Sequence, residues 1–367
     1  MKITRIELFR AALPLKRPFR ISLGTVETAG TVFVRLHGED GLYGMGEANP
    51  SLPICGETVG TVTAAAEVYA KVLIGRPAHD IDGATAAMRA ALPGNVTARS
   101  AFDMALYDLL GKRAGLPLYA LLGGTRRALV TDNTIGIDTP QAMAQRAAEM
   151  RDAGFEAIKV KLGTTYQEDV ARIRAIRDAV GADTFLRIDA NQGWDRVTAL
   201  KVLADLADAG IQYCEQPVRA SDTDALAEVS RSSAIPVMAD ESLFDDVDAL
   251  RLVRAGACRY FNIKLSKSAG IHTALRINGI AEAAGIACMV GCMIETRLGL
   301  TAAAHLVSAR PNIRFADLDG ADMLRDDPVT GGMTYGAGGA ITLPDGPGLG
   351  ADLRDDALAA LDRTEFA

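Results

Sequence analysis

AIKVKLG at 157–163 and FLRIDAN at 185–191 are short apolar runs that carry charge late, and amphipathic helical stretches follow them, from Gln167 and from Val197. The alternation continues in both directions. Upstream stands ALVTDNTIGI (128–137), with a helical pattern from Pro140. Downstream come IQYCEQPV (211–218), PVMADES (236–242), YFNIKLS (260–266), IACMVGCMI (286–294) and IRFADLDG (313–320). Eight strand candidates, six of them followed by a clear helical pattern, predict an α/β fold with a parallel β/α barrel, a doubly wound sheet being the alternative. A barrel makes a further demand: functional side chains near the C-terminal ends of several strands should converge on one mouth.

The charges meet that demand. A charged residue inside an apolar strand is costly unless it is paired, protonation-shifted or bound to metal. Lys159 and Lys161, Asp189, Glu215, Asp240 and Lys264 all stand late in their runs, and from Lys161 onward the separations are 28, 26, 25 and 24 residues. Each step is close to one β/α repeat, which puts one charge at the end of each of five consecutive strands. Asp189, Glu215 and Asp240 form a hard all-oxygen set suited to Mg²⁺. Lys159 and Lys161 are two apart and share a face, while Lys264 belongs to the opposite wall, so two amines can face one substrate carbon from contrary sides. A lysine works as a base near neutral pH only where its ammonium is destabilised, as a second lysine and a bound dication would do.

Outside this series, residues 1–125 read as an α+β unit. Alternating runs to about residue 50 predict an antiparallel meander, and apolar residues at helical spacing predict helices at 61–73, 81–92 and 95–110. The N-terminus alternates charged and apolar residues and lacks a signal-peptide core, so a cytoplasmic protein is expected. The longest charge-free run, 328–344, contains five glycines and two prolines and does not predict a membrane span. A formal charge of -7 disfavours nucleic acid and anionic membranes as partners, while leaving local basic sites for small anions. Five scattered cysteines suit reduced core thiols, and Cys288 and Cys292 lack the paired knuckles of a structural zinc site. His37, His79 and His272 have no charged constellation around them, and His305 falls inside the helical AAAHLVSA as a structural residue. Walker A, G-x-G-x-x-G and G-x-S-x-G motifs are missing.

With Lys159-Val-Lys161, Asp189-Ala-Asn191, Glu215-Gln-Pro217, Asp240-Glu-Ser242 and Lys264 in place, the chain resembles the muconate-lactonizing subgroup of the enolase superfamily over nearly its whole length. The resemblance implies a modified TIM barrel, (β/α)7β, at 126–322, under an α+β capping domain at 1–125 onto which 323–367 packs back. It implies Mg²⁺ on Asp189, Glu215 and Asp240, Lys161 and Lys264 as the acid/base pair, and Lys159 against the metal-bound substrate carboxylate. The strand carrying IACMVGCMIETR holds no histidine, unlike that of the mandelate-racemase branch.

Asp317 and Asp319 are two apart and so share a face of the eighth strand, an acidic pair that suits an ammonium group; the plainer reading is a helix N-cap or an exposed strand-end pair. Together with Thr134, Cys292 and Met293, this Asp-Leu-Asp is similar to the dipeptide epimerases. There the acidic pair holds the dipeptide's amino terminus, and a 1,1-proton transfer through an enediolate inverts the α-carbon of the C-terminal residue, Lys161 serving the (R)-epimer and Lys264 the (S)-epimer. Substrate side chains in the superfamily meet two capping loops, here Arg17 to Glu27 and Pro50 to Thr58. Ala-Glu epimerases carry an arginine where this chain has Gly24, so a small or hydrophobic side chain is the expected substrate feature, with Arg20 read as a solvated strand residue. Competing readings are an N-acyl amino acid racemase, a muconate-type cycloisomerase and a non-catalytic small-molecule binder on the same scaffold. Family habit suggests a homo-oligomer.

Overall fold

The computed structural model describes residues 1–367. The chain opens with β1 (Ile3–Ile21) and β2 (Gly24–Gly38), one long antiparallel hairpin paired from Ile3↔Gly38 to Ile21↔Gly24, with register shifts between Ile3 and Arg5 and between Pro14 and Phe19. The third strand, β3 (Tyr43–Ala48), pairs with β2, and α1 (Val59–Leu73), α2 (Ile81–Ala91) and α3 (Val96–Ala114) follow. The meander and the three helices are where their periodicities put them. Two glycines set the distance between sheet and helix: a Cβ at Gly44 or Gly46 would stand 1.9 Å from the carbonyl oxygen of Ala105 or Ala101 on α3.

Eight parallel strands follow in sequential spatial order: β4 (Asn133–Ile135), β5 (Ala157–Lys161), β6 (Phe185–Asp189), β7 (Ile211–Glu215), β8 (Val237–Ala239), β9 (Tyr260–Ile263), β10 (Ala287–Val290) and β11 (Ile313–Ala316). The seam between last and first is bridged where Asp132 N–H donates to Ala316 O at 3.3 Å and Leu318 N–H to Thr131 Oγ1 at 2.8 Å. Seven helices join the strands, one more than the clear sequence patterns: α4 (Pro140–Asp152), α5 (Tyr166–Val180), α6 (Arg196–Asp205), α7 (Thr223–Ser232), α8 (Asp246–Ala255), α9 (Ile271–Ala283) and α10 (Arg297–Ala309). Six of them start on a Thr or Asp whose side chain accepts an orphan backbone N–H of the first turn, Thr139 and Asp245 among them. The exception is α9, which begins at Gly270. Its first donors, Ile271 N–H and His272 N–H, instead reach Asp103 of α3, so the capping unit closes a barrel helix.

The last strand, β12 (Asp362–Phe366), returns to pair with β1 from Ile6↔Phe366 to Arg10↔Asp362. All five cysteines are free thiols. No helix is long and apolar enough to cross a membrane.

Two histidine expectations are corrected. Pairing β1 with β2 sets His37 against Glu7 and Arg5, and His272 meets Asp82 at 3.2 Å. Both contacts come from tertiary neighbours rather than from nearby sequence. His305 is buried in α10 as expected, where Nδ1 accepts Tyr119 N–H and Nε2 donates to Leu349 O.

Candidate active site

Strand register builds the site. Lys161 pairs directly with Asp189, and Asp189 with Glu215, so the ends of β5, β6 and β7 carry charge in one row. Asp240 and Lys264 stand one residue past β8 and β9 and continue it. Asp189, Glu215 and Asp240 are completely buried, and their carboxylate oxygens lie within 4.8 Å of one another.

The flanking lysines bind the outer members of this triad. Lys161 Nζ donates to Asp189 Oδ2 at 2.6 Å, and Lys264 Nζ to Asp240 Oδ2 at 2.7 Å. Lys159 Nζ is 2.8 Å from Glu215 Oε2, 3.5 Å from Asp189 Oδ2 and 2.6 Å from Asp317 Oδ2. Burial disfavours the Lys264 ammonium, yet Asp240 and Glu215 overcome it and raise its pKa; Asp317, Glu215 and Asp189 do the same for Lys159. The carboxylates divide. Against burial, Lys161 and Lys159 hold Asp189 below its usual range, and Lys264 and Lys267 hold Asp240 there. Burial, with Asp189 adding repulsion, pushes Glu215 well above it.

A hard divalent cation fits this donor set. Glu215 Oε2 and Asp240 Oδ1 are buried with no well-directed hydrogen bond, each having only an ammonium beside it, Lys159 Nζ at 2.8 Å and Lys267 Nζ at 3.3 Å, and Asp189, Glu215 and Asp240 offer only oxygen. The sequence reading missed the residues that hold the triad in place. Asn262 Nδ2 donates to Glu215 Oε1 at 2.9 Å. Lys267, fully buried, donates to the carbonyls of Asp240, Leu243 and Asn262. Gln216 Oε1 accepts the N–H groups of Asp240 and Ser242, and Asn191 Nδ2 donates to Glu241. Asn191, Gln192 and Gln216 all take positive φ, so the backbone turns sharply just after two of the metal-type carboxylates. Their adjacency to Asp189 and Glu215 was the available signal. Below this layer Arg187 pairs with Asp132 at 2.7 Å, a contact across the barrel that sequence could not place.

The acidic pair stands differently from its expected place. β11 ends at Ala316, so Asp317 and Asp319 lie beyond the strand rather than on its face. Asp317 N–H still donates to Val290 O, after which the chain turns and Asp319 takes an αR conformation. Both are buried and face the same cavity. Against burial, Lys159 and Lys161 hold Asp317 down at about 2, whereas burial and repulsion from Asp317 push Asp319 up to about 7. Asp319 Oδ2 accepts Thr134 N–H at 2.7 Å, and Cys292 and Met293, just past β10, complete this end.

Lys161, Lys264, Thr134, Asp317 and Asp319 line a cavity of about 360 Å³. Its roof is apolar and comes from the capping unit: Ile21, Leu23, Val26, Leu52 and Ile54. At the hairpin tip a Cβ on Gly24 would meet nothing within 4 Å. Ser22 Oγ pins that tip by donating to Ala190 O and Asn191 O, beside the Asp189 loop.

Residues 3–123 match the mandelate racemase/muconate lactonizing enzyme N-terminal domain, and residues 142–357 match the enolase C-terminal domain-like family. Over 364 residues, 99% of each chain, the protein is 45% identical to the D-Ala-D/L-Ala epimerase of Cytophaga hutchinsonii. It is 44% identical to the hydrophobic dipeptide epimerase of Enterococcus faecalis, over 95% of this chain and 99% of that one. The crystal structure of the Cytophaga hutchinsonii dipeptide epimerase, complexed with Mg and D-Ala-L-Val, superposes with a TM-score of 0.99 over both full chains at 44% identity. Two domain matches in the order of the folded units, and relatives similar from end to end, establish that this chain belongs to the enolase superfamily, in the mandelate racemase/muconate lactonizing enzyme family.

Proposed function

We propose that this protein is a Mg²⁺-dependent dipeptide epimerase that inverts the α-carbon of the C-terminal residue by two-base proton transfer. One observation carries the reading. Lys161 and Lys264 line one cavity from strands four apart in an eight-stranded barrel, with the three carboxylates on the strands between them. A binder has no need of opposed amines; inversion at carbon does.

Asp189, Glu215 and Asp240 would hold the metal. A divalent cation there would supply the counter-charge that Lys161 and Lys264 now supply, and would stabilise negative charge on the substrate carboxylate as its α-proton leaves. Lys161 Nζ then exchanges the proton on one face of the α-carbon and Lys264 Nζ on the other. Lys159 Nζ, fixed by Glu215 and Asp317, keeps positive charge beside the enediolate. Asp319 and Asp317 receive the amino terminus: an ammonium arriving there opposes the repulsion that raises Asp319. The capping roof excludes water from the reacting carbon.

The side chain that fits is small or hydrophobic. Lys161 and Lys264 are the only basic residues lining the cavity, and Gly24 offers neither charge nor reach. A library of free dipeptides incubated with enzyme and Mg²⁺ in D₂O tests the reading. Deuterium enters the C-terminal α-carbon with loss of stereochemistry if it is right; no exchange with any dipeptide sinks it.

A further inference from the structure

A second cavity, of about 200 Å³, lies between the β1–β2 hairpin and the first barrel strand. Phe19, Thr134, Asp319 and Met323 line both cavities, so the two share a wall. That wall carries the carboxylate assigned above to the substrate's amino terminus. A side chain on the carbon that bears the bound ammonium therefore starts at the boundary between the cavities.

The charge in this second cavity runs against the acidic character of the protein. Lys16, Arg17, Arg20 and Arg146 line it, facing Asp138, Asp319 and Asp322. Each acid is already engaged. Asp322 pairs with Lys16 at 3.0 Å, Asp319 accepts Thr134 N–H at 2.7 Å, and Asp138 accepts Thr139 N–H at 2.7 Å. Arg17 and Arg20 are left without a carboxylate, and Arg146 has only Glu149, at 3.6 Å on its own helix. Burial, and then Arg17 opposite, lower the pKa of Arg146, and the opposing pull of Glu149 and Asp322 does not offset them. Planar guanidiniums in such a place match a carboxylate in both charge and shape.

We propose that this crevice is a subsite for an anionic group on the amino-terminal residue of the substrate, the carboxylate of an Asp or Glu side chain, with Arg17 and Arg146 as its partners. The inference rests on the dipeptide epimerase reading. It concerns the residue that is not inverted, so it is independent of the apolar roof over the C-terminal residue.

Comparing Glu-Leu with its uncharged isostere Gln-Leu tests it, with kcat/KM read from α-deuterium incorporation in the presence of Mg²⁺. The ratio is expected to be about tenfold in favour of Glu-Leu, with the difference in KM, and to fall to about one in the Arg17→Gln/Arg146→Gln variant. Arg17 is exposed and Arg146 partly so, and a thermal melt of the variant checks that it folds. A ratio near one in the parent enzyme, with Gln-Leu still turned over, overturns the subsite and leaves the epimerase reading standing. Failure of every dipeptide overturns both. Glutarate added at fixed ionic strength separates the remaining source of the same chemistry: if it alters Ala-Leu turnover without competing with Glu-Leu, the crevice serves free carboxylates and the proposal falls.

Discussion

Lys159 Nζ donates to Asp317 Oδ2 at 2.6 Å and so ties the acidic pair on one wall of the barrel to the carboxylate triad through a single ammonium. The amine is fully buried and its other neighbours, Glu215 and Asp189, are carboxylates as well. Removing one partner of such a cluster leaves uncompensated charge, which costs about 3–5 kcal/mol. Lys159→Met is therefore expected to lower the unfolding free energy by about that amount in denaturant titrations without Mg²⁺, and to abolish turnover. Unchanged stability would show that Lys159 does not neutralise the acids around it.

The proposed two-base scheme divides the reaction between the two amines. With Lys264→Ala, Lys161 still exchanges the α-proton of one epimer, and with Lys161→Ala the reverse holds, while neither variant inverts. Epimerisation is expected to fall by at least about 10³-fold in each, with stereospecific exchange surviving. Proton NMR in D₂O on each pure diastereomer checks this. Exchange of both diastereomers by a single-lysine variant would refute the two-base scheme.

Cation binding should stabilise the fold, because ligand that binds only the native state adds about 2.7 kcal/mol at a hundred times Kd. Mg²⁺ is expected to raise Tm, and EDTA to remove both that increase and activity. Asp240→Asn takes charge from one of the three clustered carboxylates, and it should weaken Mg²⁺ binding in calorimetry. Equal affinity in the variant would place the ion elsewhere.

Asp319→Asn separates a clamp for the amino terminus from a bystander. Losing a charge-assisted contact costs about 1.5–3 kcal/mol, or roughly 10- to 100-fold in KM for free dipeptides. N-acetylated dipeptides carry no ammonium and should not suffer that loss. Equal effects on both substrates would favour an N-acyl amino acid racemase.

His305 predicts an acid limb in stability. Burial lowers its pKa to about 4, below the ordinary 6.5, and its Nδ1 already accepts Tyr119 N–H. Between those values the unfolded chain binds a proton that the folded chain refuses. The contribution is thus fully present above pH 6.5 and is lost as pH falls toward 4, a change of about 3 kcal/mol. In urea titrations across that window, the parent should lose more stability than His305→Gln. Parallel curves would contradict the assignment.

The ring of charges was legible because each member sits one β/α repeat from the next, and a strand's C-terminal end is a local property of sequence. The same holds for the barrel, the capping meander and most helix starts, where alternation, helical spacing and a Thr or Asp cap act within a few residues. Tertiary structure alone decided what those charges touch. Lys267 and Asn262 look like ordinary strand-end polar residues until the fold brings them against Asp240 and Glu215. Asp132 meets Arg187 only because the barrel closes, and Glu7 meets His37 only through strand pairing. Asp317 and Asp319 lie past the end of β11, where the turn sets their direction. The basic crevice joins residues 16–20 to Arg146, so its existence depends on how the hairpin lies on the barrel. Periodicity is a short-range consequence of backbone geometry, whereas burial and ion pairing are properties of distant segments, fixed only when the chain closes on itself.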